Sequence, residues 1–253
     1  DLNAGTNITD DDSNGGGING YVSAYTSGAT HNVDRTAPVV TEIDAVYSPT
    51  NVTTPSYIFN TDDAGTLAVG GSCGSASEGT VSAGNVPIVF TQTDNSTPLT
   101  ANTYSDCTIT VTDAAGNTSN ALAVSSFHID LTNPTLQSLS PADNATGINS
   151  SANLIMSFDE NIALNAGNIT IKQSSDNSTF ETINVASDPG VLTITSNILT
   201  INPGVILADN TEYYVLMDPT FLRDTSENSF TGISGATDWS FTTADISPPT
   251  LTG

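Results

Sequence analysis

Apolar and polar positions alternate along this chain in short runs. Leu154, Met156 and Phe158 alternate with Ile155, Ser157 and Asp159, and Cys107, Ile109 and Val111 alternate with Asp106, Thr108 and Thr110. A period of two puts each apolar set on one face of a strand. No segment sustains a helical period. The pattern predicts strands at Val39–Ile43, Ser56–Asn60, Thr66–Val69, Gly79–Ser82, Pro87–Thr91, Tyr104–Thr112 and Ala121–Ile129. A second set follows at Leu154–Phe158, Ile169–Ile171, Val191–Thr195, Ile198–Ile201, Thr211–Met217 and Trp239–Thr243. Gly, Pro, Asn and Asp fill the gaps. Regular short strands with such turns argue for an all-β chain of antiparallel sandwiches.

The strand sets are separated by a repeated device. Asp34-Arg35-Thr36-Ala37-Pro38, Asp130-Leu131-Thr132-Asn133-Pro134 and Asp245-Ile246-Ser247-Pro248-Pro249 each close one run and open the next. Internal repetition of this kind divides a chain into units. The expected division is residues 1–35 as the last hairpin of a preceding module or an irregular segment, 36–133 and 134–246 as two sandwiches, and 247–253 as the start of another linker. The later part of each unit also repeats. Leu99–Tyr104 matches Leu207–Tyr213, and each leads through a strand to an Asp-x-x-x-Asn turn, Asp113–Asn117 and Asp224–Asn228. In residues 1–34, Asp10, Asp12, Asn14 and Gly15 have the opening spacing of an EF-hand loop, but Tyr21 stands where that loop needs Glu.

Composition narrows the function. Of 253 residues, 27 are acidic and three basic (Arg35, Lys172 and Arg223), giving a formal net charge of −24. Binding to phosphate backbones or anionic lipid surfaces needs clustered Lys and Arg, so nucleic acid and membrane partners are not expected. Hard carboxylate oxygens favour divalent cations. No stretch has the length and apolarity of a membrane-spanning helix. Hydrophobic residues make up 37% of the chain, enough for sizeable cores, and aromatic residues only 6%.

The joints and turns carry the candidate chemistry. Asp34, Asp130 and Asp245 end the last strand of a unit, while Asp113 and Asp224 sit in the turn just before it. Carboxylates at the end of one unit meet the loops of the next, where Asp62, Asp63, Asp159 and Glu160 are available partners. Together with backbone carbonyls they form candidate Ca²⁺ sites. The plainer reading of each joint Asp is an Asx turn with no metal. Cys73 and Cys107 are expected to form a disulfide in an exported protein. Tyr104 and Tyr213 or Tyr214 resemble the tyrosine corner of sandwiches, and Trp239, alternating with Phe241, is assigned to the core. His31 and His128 have no nucleophile in a recognisable turn. Thr108-Ile109-Thr110 and Thr193-Ile194-Thr195 are too few for a flat ice-binding face.

Several stretches resemble known families. Ser140–Ile148, Met156–Ile162, Leu207–Val215 and Trp239–Thr243 are similar to the bacterial Ig-like domain of the surface-layer type. Val111–Asn120 and Phe127–Asp130 resemble the bacterial Ig-like repeats of giant secreted adhesins. The resemblance implies tandem Ig-like sandwiches in an elongated arrangement, monomeric, in a protein at the bacterial cell surface or outside the cell. It implies a non-catalytic extender whose partners are its neighbouring modules, with Ca²⁺ stiffening the joints. Two rival expectations are a module that binds a glycan or host protein through its loops, and a spacer within a large secreted hydrolase.

Overall fold

The computed structural model describes residues 34–247. The expected hairpin of residues 1–35, with its Asp10–Gly17 turn, and the linker beyond Ser247 lie outside the described residues.

The first unit holds strands β1 (Val40–Asp44), β2 (Ser56–Thr61), β3 (Gly65–Gly70), β4 (Gly79–Val81), β5 (Gly84–Val89), β6 (Asn102–Tyr104), β7 (Thr108–Thr112), β8 (Leu122–Ala123) and β9 (Phe127–Ile129). They form a β1-β2-β5 sheet, a β4-β3-β7-β8 sheet and a β6-β9 pair. All of these pairings are antiparallel. Alternation in β2 turns Tyr57, Phe59 and Thr61 inward. Alternation in β7 turns Ile109 and Val111 inward to meet them. The rings of Tyr57, Phe90, Phe127 and Tyr104 run through this core with successive centroids 5.2, 5.8 and 5.2 Å apart. Pro87 lies in β5, at the edge of its sheet, where a missing N–H costs no ladder bond.

Two expected long strands are broken in two. Tyr104–Thr112 divides into β6 and β7, and Ala121–Ile129 into β8 and β9. The halves belong to different pairings: β7 bonds to β8, and β6 to β9. The bend between β6 and β7 holds Cys107, which is disulfide-bonded to Cys73 with Cα atoms 5.4 Å apart. Both cysteines are buried.

The second unit holds β10 (Leu136–Ser140), β11 (Ala145–Ile148), β12 (Leu154–Phe158), β13 (Ile162–Leu164), β14 (Asn168–Gln173), β15 (Thr179–Asn184), β16 (Leu192–Thr195), β17 (Ile198–Ile201), β18 (Glu212–Met217), β19 (Leu222–Asp224) and β20 (Ser240–Thr243). A β10-β12-β17-β16 sheet faces a β11-β20-β18-β14-β15 sheet across one apolar cluster, and β13 pairs with β19. β11 runs parallel to β20, so the chain crosses from one sheet to the other between β10 and β11. Trp239 is fully buried and its Nε1 donates to the Pro141 carbonyl at 2.9 Å, which satisfies its polar edge inside the core. The cores of the two units share no residue. The architecture is all-β, of the Ig-like sandwich type.

Both units have a tyrosine corner. The Tyr104 hydroxyl accepts from Thr100 N and donates to Thr100 O, each at 3.1 Å. In the second unit Tyr213 fills the role, accepting from Ala208 N at 2.8 Å, while Tyr214 donates to Asn177.

Candidate metal centre

Each unit's Asp-x-x-x-Asn turn is closed by its own side chains. Asp113 Oδ1 accepts from Asn117 N and Oδ2 from Asn117 Nδ2, both at 2.8 Å. Asp224 does the same with Asn228, both at 2.8 Å, and also accepts from Ser226 N. Hydrogen bonding, first to the Asn117 side chain, holds the Asp113 carboxyl below its ordinary value. Gly116 occupies the left-handed position of the first turn, at φ 90°, and Glu227 that of the second, at φ 75°. A side chain there costs about 1–2 kcal/mol. Its only visible compensation is an exposed ion pair with Arg223 at 3.0 Å, worth about 0.2–1 kcal/mol. Glu227→Gly is therefore expected to stabilise the second unit by about 0.5–1 kcal/mol, read as a higher denaturant midpoint at unchanged slope.

The joint aspartates form Asx turns. Asp34 Oδ1 accepts from Thr36 N at 2.9 Å, Asp130 Oδ1 from Thr132 N at 2.9 Å, and Asp245 Oδ1 from Ser247 N at 3.1 Å. The paired acids after β2 and β12 divide their work. Asp62 accepts from Val39 N at 2.7 Å, and Asp159 accepts from Thr135 N at 2.8 Å and from its hydroxyl at 2.6 Å. These first members anchor the chain just past the joint proline. The second members, Asp63 and Glu160, turn toward the joint itself.

Two groups of three carboxylates result. Asp34, Asp63 and Asp113 form one, and Asp130, Glu160 and Asp224 the other, each with one oxygen per residue mutually within 4.8 Å. The three members come from corresponding places: the preceding joint, the acidic pair after the second strand, and the Asp-x-x-x-Asn turn. Burial first, and then the charges of Asp224, Asp130 and Asp159, push the Glu160 carboxyl up to about 7. Among the described residues the one ion pair is Arg223–Glu227, so no basic side chain neutralises either group. A donor set of three hard oxygens without a counter-charge suits Ca²⁺, with carbonyls and water completing six to eight ligands.

Asp62, Asp159 and Asp245 are not gathered into either group. Asp245 also differs in register. Phe127 faces Tyr104 and Phe241 faces Tyr213, so Asp245 lies one residue farther along its strand than Asp130. Its neighbours are held by Asp209, which accepts from Ile246 N at 2.9 and 3.1 Å and from the Ser247 hydroxyl at 2.9 Å. The sequence pattern passes over Asp209, because the matching position of the first unit is Ala101. It also passes over Ser226, whose hydroxyl donates to Asp130 Oδ2 at 3.3 Å. His128 lies at the surface with its Nδ1 2.9 Å from the Thr103 hydroxyl.

Residues 130–243 match the bacterial Ig-like domain family. The second unit is similar to that family. The matched stretch begins at the joint residue Asp130 and ends with β20, so it contains all three acids of the second group. The match suggests a module of the bacterial surface type, in a family that is typically non-catalytic. No curated protein matches the chain.

Proposed function

We propose that the chain is a non-catalytic extender segment of a bacterial surface or secreted adhesin, its sandwiches in tandem and its joints stiffened by Ca²⁺. The observation that carries this reading is the repeated group: two sets of three carboxylates, built from corresponding positions, the second uniting the end of the first unit with two loops of the second. Asp34, Asp63 and Asp113 would hold one ion, and Asp130, Glu160 and Asp224 the other. The bound dication supplies charge neutralisation across the joint. Without it the three acids repel one another, which favours opening the hinge. With it, separation of the units has to break a shared ligand set.

Titration of the metal-free chain with Ca²⁺, followed by calorimetry and small-angle scattering, tests the proposal. Two equivalents are expected to bind, and the scattering profile to narrow toward a single extended form. At a Ca²⁺ concentration about a hundred times Kd the stabilisation is about 2.7 kcal/mol, which raises Tm by roughly 10 °C in modules of this size. Chelation that leaves both melting and scattering unchanged would sink it.

A further inference from the structure

The joint between the two units is also bridged by hydrogen bonds that involve no carboxylate oxygen. Asn51 N donates to Ser226 O at 3.0 Å, from a loop of the first unit to the Asp-x-x-x-Asn turn of the second. Asn228 Nδ2 donates to Asp130 O at 3.0 Å while also donating to Asp224 Oδ2 at 2.8 Å. The loop holding Asn51 is itself tied to the joint strand. Thr50 N donates to His128 O and Asp130 N to Thr50 O, each at 3.0 Å. Both partners on the second unit are buried, Ser226 at 1% and Asn228 at 7% exposure, so these bonds are shielded from competing water. At the first joint Asn117 repeats the contact, its Nδ2 reaching Asp34 O at 3.4 Å.

We infer that Asn228, with the Asn51–Ser226 backbone bond, is a metal-independent latch. It holds the second unit in register on the first without metal, against the repulsion of the acids, and a bound ion removes that repulsion and narrows the remaining hinge motion. The inference deepens the reading of this place as the working joint. Asn228 is a positioning residue: one donor grips the carbonyl of the residue that ends the first unit, and its own turn presents the Ser226 carbonyl. An Asp-x-x-x-Asn turn thus does two jobs, closing itself and clasping the unit before it.

Amide hydrogen exchange in EDTA reads the latch directly. In the chelated wild type the Asn51 amide is expected to be protected, and in Asn228→Ala to lose about tenfold or more of that protection. Asn117→Ala removes the same turn bond in the first unit and should leave Asn51 unchanged relative to its neighbours. The Val215 amide, bonded to Trp239 O within the second unit at 2.9 Å, reports whether that unit remains folded. If Asn228→Ala unfolds it, Asn228→Asp keeps the size and removes the donor, with the same loss expected. An Asn51 amide exchanging freely in EDTA and protected only on adding Ca²⁺ would overturn the latch while leaving the calcium reading standing. Protection in EDTA with no Ca²⁺ binding at all would do the reverse.

Discussion

Replacing Cys73 and Cys107 together by Ala is expected to destabilise the first unit by roughly 3–4 kcal/mol while leaving the second unit's transition in place. The bond closes a sequence separation of 34, and the chain-entropy cost of leaving a loop of that size open is roughly 3–4 kcal/mol. The first unit depends on it because its late strands are short. β6, β8 and β9 span only 3, 2 and 3 residues. Between β6 and β7 the chain leaves the pairing with β9 and enters the sheet of β3 and β8, and the bond from Cys107 to Cys73 pins that change to the segment after β3. The second unit holds no cysteine and has a larger apolar cluster, including Trp239. The sulfurs are nearly inaccessible, the two residues being 1% and 2% exposed, so reductant alone should act slowly on the folded chain. Denaturant titration of oxidised and doubly substituted chains, with a probe in each unit, gives the test. A cost under about 1 kcal/mol would mean that the bond does not constrain the unfolded chain.

Where each face is half buried, the strands were legible in the sequence. Leu154, Met156 and Phe158, and likewise Ile109 and Val111, all turn inward as their alternation requires. Five strands escaped, and each lacks that signal; β10, just past the joint, leaves none of its residues fully buried. β11 (Ala145-Thr146-Gly147-Ile148) contains a glycine and pairs in parallel, and β15, at a sheet edge, buries only Ile183 fully. β13 and β19 are three-residue strands paired in a two-stranded ladder, too short to show a period. The breaks at Ser105–Cys107 and Val124–Ser126 do leave a mark: two polar residues separate Tyr104 from Cys107 and Val124 from Phe127, where a period of two needs one. The acids are less legible. Repetition picked out Asp34, Asp130, Asp113 and Asp224, but Asp62 and Asp63 read alike until folding gives one to Val39 N and turns the other toward the joint. A hydrogen bond to a backbone amide far along the chain leaves no mark in composition or spacing. For that reason the anchoring roles of Asp62, Asp159 and Asp209 appear only in three dimensions.

Glu160→Gln should move stability in opposite directions with and without Ca²⁺. Glutamine keeps the shape and removes the charge that burial and the neighbouring Asp224, Asp130 and Asp159 make unfavourable. In the folded, metal-free chain the Glu160 carboxyl titrates at about 7 instead of its ordinary 4.5. Below that ordinary value it is protonated whether the chain is folded or not, and it has no effect. Between the two values the folded state binds more protons than the unfolded one, so stability falls as pH rises. Above about 7 the penalty is complete and constant. Carboxyls held low, such as Asp113 and Asp159, act below their ordinary 3.8, where stability falls as pH drops, so the two effects occupy separate windows. Chelated wild type is therefore expected to lose stability from about pH 5 to about pH 7.5. Glu160→Gln should be flatter over that range and more stable at its upper end. Ca²⁺ reverses the order, because the ion uses the charge that the bare site penalises. Wild-type affinity should rise with pH through the same window as the competing proton leaves Glu160. Loss of one of three carboxylates should weaken binding at this joint about tenfold or more, equivalent to about 1.4 kcal/mol. Asp63, which contributes to the other group, serves as the internal comparison: Asp63→Asn should weaken only the first joint. Melting curves across pH in EDTA and in excess Ca²⁺ separate the effects. If Glu160→Gln follows the wild type in both conditions, Glu160 does not belong to the ion's site.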